Sequence, residues 1–180
     1  MRGEGILRKP ITPYHMNLYE LFFEDMIKTK SKLNLSYKYI TEENILEVAK
    51  LRNNSRLREF KKIIKQKSIG IAAYKDDIIV GYGWVKWKDC YDKFFHISGD
   101  KGYLASFFVA PEYRGNGIYP CIIQKLIKEA NRLYGTEYFL IGIQKQNKAS
   151  INGALKVGFS YLKDLKLFRA FKITVPKHTI

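Results

Sequence analysis

The chain has 180 residues, 46% of them hydrophobic, which is enough for one domain with a real core and short for two. Its 32 Lys+Arg against 17 Asp+Glu give a formal charge of +15; this favours anionic partners such as nucleic acid, an acidic membrane surface or a phosphorylated ligand, although a lysine- and isoleucine-rich proteome gives the same excess with no function attached. No apolar run is long enough to cross a bilayer, the N-terminus MRGEGILRKP has no apolar signal core, and Cys90 and Cys121 follow no metal or redox spacing. The expectation is therefore a cytoplasmic protein with no metal site and no membrane partner.

There is no internal repeat, low-complexity tract or Gly/Ser linker. Residues 1–34 read as an N-terminal extension and 35–180 as the domain proper. Within the extension, NLYELFF (17–23) reads as a strand or added hairpin, able to extend a sheet edge or to pair between subunits, so monomer and homodimer both stay open. LSYKYI (35–40) alternates as a strand does. Thr41 is placed to cap a helix, with Glu42 and Glu43 suited to its positive start and Ile45, Val48 and Ala49 on one face.

Ser55 opens a second helix with Leu57, Phe60, Ile63 and Ile64 on its apolar face. Arg56, Arg58, Lys61, Lys62, Lys65 and Lys67 fall on the other face. No aromatic residues interleave with these charges, so a solvated face is the better reading and nucleic acid is not the expected partner. IGIAAY (69–74), the turn Lys75–Asp76–Asp77 and IIVGYGWVKW (78–87) read as a β-hairpin. Residues 88–102 are loop-like, and YLASFFV (103–109) is a buried strand. A helix follows over about 117–133, with a stripe of Ile118, Ile122, Ile123, Leu126, Ile127, Ala130 and Leu133, and Cys121 on the same apolar side. EYFLIGI (137–143) is a strand, 148–157 a short helix ended by Gly158, and 159–175 one or two last strands. The order β-α-α-β-β-β-α-β-α-β-β predicts a mixed α/β sheet.

VAPEYRGNGIYPC (109–121) joins the buried strand to the long helix. A strand, a tight glycine turn and a helix aim the first backbone N–H groups of that helix at one point, where the helix dipole adds positive potential. This is a natural phosphate site. Gly115 and Gly117 permit φ > 0 and close approach, Arg114 adds a charged fork, and Pro120 in the first turn costs no helix bond. No GK[ST] and no GxGxxG accompany the turn, so on these residues alone a plain strand-to-helix turn is an equal reading.

FFVAPEYRGNGI (107–118) resembles the central motif of the GNAT superfamily, the acyl-CoA-dependent N-acetyltransferases: an apolar strand ending in V-x-P, then (Q/R)-x-x-G-x-(G/A), with Val109, Pro111, Arg114 and Gly117 in place. NKASINGALKVGF (147–159) is similar to the family's second block, and the element order matches over about 35–175. The resemblance implies a mixed, mostly antiparallel sheet with splayed central parallel strands and flanking helices. It also implies acetyl-CoA as co-substrate. The pyrophosphate would lie on the N–H groups of Gly115, Asn116, Gly117, Ile118 and Tyr119 beside Arg114. The pantetheine would run along Phe107, Phe108 and Val109, with Asn147 and Ser150 on the other wall. The Phe107 N–H would face the oxyanion.

The match departs from the family at three places. The sixth motif position, usually Gly or Ala, is Tyr119, which must point away from the cofactor or block it. The usual tyrosine acid falls at Ala154, and the usual glutamate base at Tyr103. General acid–base help is worth about 10²–10⁴-fold, so its loss slows such a reaction without abolishing it. Tyr119 as acid and His96 as base are the candidate substitutes, with Asp100 close to the Tyr103 position and Asp89 and Asp92 further off; His96 and all three aspartates read better as surface or loop-ordering residues. Tyr82, Trp84, Trp87 and Phe94–Phe95 are candidates for an acceptor wall, or core.

The leading expectation is an acetyl-CoA-dependent N-acetyltransferase acting on a primary amine of a small molecule, an anionic amino sugar among the possibilities. An acyl-CoA-binding fold without catalysis is the alternative, and a basic nucleic-acid-binding module the second.

Overall fold

Period-2 alternation and 3.6-residue stripes divide the chain into ten strands and four α-helices among the described residues, which are 12–88, 90, 95–96, 99–170, 173–175 and 178–179 of the computed structural model; side chains are described for 15–88, 90 and 99–165. In chain order these are β1 (Thr12–Phe22), β2 (Ser36–Tyr39), α1 (Ile45–Lys50), α2 (Leu57–Ile63), β3 (Ser68–Lys75), β4 (Ile78–Lys86) and β5 (Phe95–His96). There follow β6 (Gly102–Val109), α3 (Ile118–Tyr134), β7 (Tyr138–Gln144), α4 (Lys148–Val157), β8 (Ser160–Ala170), β9 (Ile173–Val175) and β10 (His178–Thr179).

Eight strands form one sheet in the order β2-β3-β4-β6-β7-β1-β8-β9, and β5 pairs with β10 apart from it. Every neighbouring pair in the large sheet is antiparallel except β6–β7. A parallel pair needs a crossover, and α3 supplies it. The fold is the expected mixed, mostly antiparallel sheet with a splayed central parallel pair.

Helix α3 lies against the sheet through Ile122, Ile123, Leu126, Ile127 and Ala130, all fully buried. Each of the four larger side chains contributes about 1.5–3 kcal/mol by leaving water. On the opposite face α1 and α2 enclose Phe60, which meets Tyr82 edge-on at 5.2 Å and Trp84 at 5.5 Å. The hairpin turn is as the sequence predicts: Asp76 and Asp77 take φ of 49° and 62°, the doubly left-handed turn whose twist suits a two-residue hairpin.

Two expectations change. Helix α1 does not start at Thr41: the Asn44 side chain accepts from the Thr41 N–H at 2.9 Å and donates to the Tyr39 carbonyl at 2.8 Å, so a turn comes first and the helix begins at Ile45. Strand β1 is no edge strand. It lies between β7 and β8, paired on both sides, because Leu18 and Leu21 are needed in the core. Residues 1–11, the lead-in of the expected extension, lie outside the described residues.

Two features of β6 open the sheet. It pairs with β7 only from Gly102↔Phe139 to Leu104↔Ile141, after which β6 stays with β4 and β7 with β1. It also carries a β-bulge. Trp84 pairs with Ala105 and Tyr82 with Phe108, so Gly83 alone stands against Ser106 and Phe107. Ser106 absorbs the extra residue at φ 55°, a left-handed conformation that costs a non-glycine residue about 1–2 kcal/mol. Gly83 makes room: a Cβ there would lie 2.3 Å from the Phe107 ring. The bulge resets the alternation, sending Phe107 and Val109 toward α3 and Phe108 toward α2.

Candidate active site

The connection from β6 to α3 is held from both sides. The Ala110 N–H bonds the Val80 carbonyl, Pro111–Tyr113 form a short 3-10 turn, and Arg114 is extended. Gly115 and Gly117 follow at φ 80° and 76° with Asn116 between them. For Gly115 the angle alone selects glycine, since a Cβ would meet nothing within 4 Å; at Gly117 a Cβ would also lie 2.9 Å from the Lys30 carbonyl. The segment before β2 braces this turn, with the Lys32 N–H and the Ser31 hydroxyl both donating to the Asn116 carbonyl at 2.9 Å.

Gly117 occupies the cap position of α3, and the helix bonding starts with the Cys121 N–H on the Gly117 carbonyl. The N–H groups before it have no intrahelical partner and carry the positive end of a 17-residue helix. Arg114 is exposed at their edge, its Nε donating to the Val109 carbonyl at 3.2 Å.

These elements bound a cleft of about 480 Å³ where β6 and β7 part. Phe107, Phe108 and Val109 form one side, Arg114, Gly115, Gly117, Ile118 and Tyr119 the next, and Asn147 and Ser150 face them from α4. Asn116 alone of the expected cofactor-binding residues does not line it; its side chain turns back to the Tyr113 carbonyl. Asn147 has a structural task as well, its Oδ1 accepting the Ser150 N–H at 3.1 Å to cap α4. Sequence reading missed Ala149, Asn152, Gly153 and Lys156. Their spacing of three, four and seven residues marks one helical face, so the signal was present.

Tyr119 forms part of the wall and leaves the cleft open. Its ring stands edge-on to Phe107 at 5.0 Å between centroids and covers Gly153, where a Cβ would lie 2.5 Å from the ring. A large residue on α3 is thus matched by the absence of one on α4. Burial pushes the Tyr119 hydroxyl well above the ordinary phenol range, and the Ser150 side chain draws it back only in part, so it holds its proton throughout the neutral range.

The other expected chemical groups fare differently. Tyr103 is 3% exposed beside Met16, Leu18, Leu140 and Leu165, and Ala154 is fully buried under α3, so neither family position faces the cleft. The backbone of His96 lies in β5, but its side chain, Phe94, Asp89 and Asp92 lie outside the described residues; Asp100 is exposed. Tyr82, Trp84 and Trp87 are no acceptor wall. All three are core, each at most 2% exposed, because β4, which carries Tyr82 and Trp84 and is followed directly by Trp87, is covered on both faces. The Trp87 Nε1 donates to Thr136 Oγ1 at 2.9 Å.

On the α2 side of the bulge, Ser106 Oγ donates to Glu59 Oε1 at 3.0 Å, and Arg56 forms an ion pair with Oε2 of the same carboxylate. The Arg52 guanidinium lies over the Phe108 ring at 5.4 Å, and Phe108 stacks on Tyr82 at 6.0 Å. Burial pushes the Tyr82 hydroxyl up to about 12, against the pull of Arg52. Sequence reading missed Glu59, which hides among six basic residues. The basic face is also interrupted at its far end, where Lys67 Nζ lies over the Tyr134 ring at 4.7 Å. Among the described residues no cluster of His, Cys, Asp and Glu could hold a metal, and no helix is long and apolar enough to cross a membrane.

A model of the acetyltransferase (GNAT) family matches residues 18–159. Among solved structures, the chain is similar to a Drosophila protein from a structural genomics programme, with TM-score 0.68 and 14% identity over 92% of this chain and 53% of that one. AAC(6')-Iy in complex with the bisubstrate analogue CoA-S-monomethyl-acetylneamine matches with TM-score 0.62 and 14% identity, over 77% of this chain and 99% of that one. The aminoglycoside antibiotic 6'-N-acetyltransferase AAC(6')-Ih from Acinetobacter baumannii matches with TM-score 0.57 and 21% identity, over 71% and 91%. The chain thus spans about half of the Drosophila protein and nearly all of the other two. At these identities the likeness is one of fold. No curated protein is significantly similar to the chain in sequence.

Proposed function

The chain belongs to the GNAT acetyltransferase family, and from that premise we propose that it transfers an acetyl group from acetyl-CoA to a primary amine of a small molecule. The observation that carries this reading is the shape of the cleft: an apolar slot along Phe107–Val109 leads to the free N–H groups of α3 at its end. Those two halves suit a ligand with an extended uncharged arm and a pyrophosphate. Gly115 and Gly117 leave the backbone bare where an anion would approach, and Arg114 and Lys156 border the same cleft.

Acetyl-CoA, when bound, supplies the thioester whose carbonyl carbon the amine attacks. The chain's own residues hold and orient. The N–H groups of Gly117, Ile118 and Tyr119 bind the pyrophosphate. Phe107, which takes no partner in the β4 register, offers its N–H to the carbonyl oxygen. Tyr119 keeps a proton at its hydroxyl beside Ser150 and is the acid available to a leaving thiolate.

The formal charge of +15 supports an anionic amine, such as an amino sugar bearing a phosphate. Similarly folded proteins named as aminoglycoside 6'-N-acetyltransferases make an aminoglycoside a necessary member of any acceptor panel. A second reading, acyl-CoA binding without turnover, is favoured by the burial of Tyr103 and Ala154.

The test is the melting temperature with and without CoA, beside Gly117→Glu. A ligand at about 100 times its Kd adds about 2.7 kcal/mol of stability. An upward shift in the wild type, absent from a variant that still folds, supports the site. No shift in a well-folded wild type removes the reading. CoA binding with no turnover on an amine panel favours the second one.

A further inference from the structure

Ser106 poses a question that the cofactor reading leaves unanswered. It sits at the bulge with φ 55°, where glycine would rest without strain. What serine adds there is its hydroxyl, and that hydroxyl is aimed away from α3, at the Glu59 carboxylate 3.0 Å away. Glu59 is partly open to solvent, its side chain 20% exposed, and Arg56 fixes its other oxygen. The next residue after Ser106 is Phe107, the proposed oxyanion donor, and the one after that is Phe108 in the cleft wall. A carboxylate and a hydroxyl therefore meet just beyond the point where β6 leaves β7, on the face opposite the helix that would hold the cofactor.

We propose that Glu59, acting with Ser106, is the group that draws the acceptor's ammonium to the bulge and takes its proton. This rests on the acetyl-transfer reading and adds the base that the family positions lack in this chain. The ammonium gives one proton to the Ser106 hydroxyl as that hydroxyl passes its own to Glu59 Oε1. The neutral nitrogen then forms the C–N bond to the thioester carbonyl carbon, and the C–S bond breaks with its electron pair leaving on sulfur. Of the two protons the nitrogen loses, one leaves through Glu59 to solvent and the other ends on the thiol.

The experiment compares wild type, Glu59→Gln and Ser106→Gly. Glycine keeps the backbone angle and deletes the CH2OH group that carries the hydroxyl. Glutamine still accepts the Ser106 bond through its amide oxygen; it deletes the charge and with it the ion pair to Arg56. The first readout uses protein without CoA. The carboxyl 13C resonance of Glu59, identified by its loss in Glu59→Gln, is followed during titration with ethanolamine hydrochloride against sodium chloride. A saturable displacement by the ammonium alone is expected.

The second readout is thiol release from acetyl-CoA with the best amine of the panel. Glu59→Gln should lower kcat/KM about 10²-fold and Ser106→Gly about tenfold, with the CoA-induced melting shift unchanged in both. Should the bond only lock the bulge, Glu59→Gln keeps wild-type transfer and the inference falls. It falls equally when ethanolammonium leaves the resonance unmoved, or when the wild type binds CoA but releases thiol with no amine. Absence of the CoA shift in the wild type is the separate failure of the cofactor reading itself.

Discussion

Gly153→Ala should be destabilising in the wild type and stabilising once Tyr119 is removed. A Cβ at position 153 would lie 2.5 Å from Cδ1 and 2.8 Å from Cε1 of Tyr119. The ring cannot retreat freely, because Phe107 stands edge-on to it at 5.0 Å. Forcing one carbon into such a contact costs about 2–3 kcal/mol. Against this, Gly→Ala inside a helix gains about 1 kcal/mol. The net loss should be about 1–2 kcal/mol, which for a domain of this size is a fall of a few degrees in Tm, at about 2–4 °C per kcal/mol. In a Tyr119→Ala background the clash is gone and only the helix gain of about 1 kcal/mol remains. The coupling between the two sites is then about 2–3 kcal/mol, within the range for residues in contact. Urea denaturation of the four proteins of this cycle measures it. The same sign for Gly153→Ala in both backgrounds would refute the packing of Tyr119 onto α4, and with it the account of why the cleft stays open.

Gly83→Ala should act at the bulge, since its Cβ would lie 2.3 Å from the Phe107 ring; a loss of about 1–3 kcal/mol in urea denaturation is expected, together with a smaller CoA-induced melting shift. Thr136→Val leaves the buried Nε1 of Trp87 without its 2.9 Å acceptor, and should cost about 1–3 kcal/mol by the same denaturation assay. Glu129 is held down at about 2, from an ordinary 4.5, by Lys125 first, then Tyr39 and Arg132. Its folded value lies below its unfolded one, so the stabilisation is present above about 4.5 and is lost as pH falls to about 2. Glu129→Gln should accordingly melt lower than the wild type at pH 7, with the gap closing across that window in a series of melts.

The legibility of this chain varied with the range of the forces involved. The stripe of α3 was legible from Ile118 to Ala130, because apolar residues at helical spacing need only one neighbouring surface to select them, but its last expected member, Leu133, is exposed. The turn before it was equally readable, since a left-handed angle at Gly115 and Gly117 is a property of those residues themselves. The start of α1 was misread because Asn44 outcompeted Thr41 as the local side-chain acceptor, a choice between two equivalent signals. The aromatics of β4 were read in two ways because alternate rings on a strand look alike in a wall and in a core.

Sequence alone therefore determined the order of the elements from β2 to β9 other than β5, the mixed sheet and the left-handed glycine turn at the head of α3, all of which follow from backbone preference and short-range periodicity. Only the tertiary structure decided where β1 enters the sheet, how Ser106 and Gly83 make the bulge, which side of the cleft Tyr119 occupies, and that Glu59 meets a serine 47 residues away. Those are pairings between distant segments. Each is settled by which surfaces must share one small core, and no local rule of the chain encodes that competition.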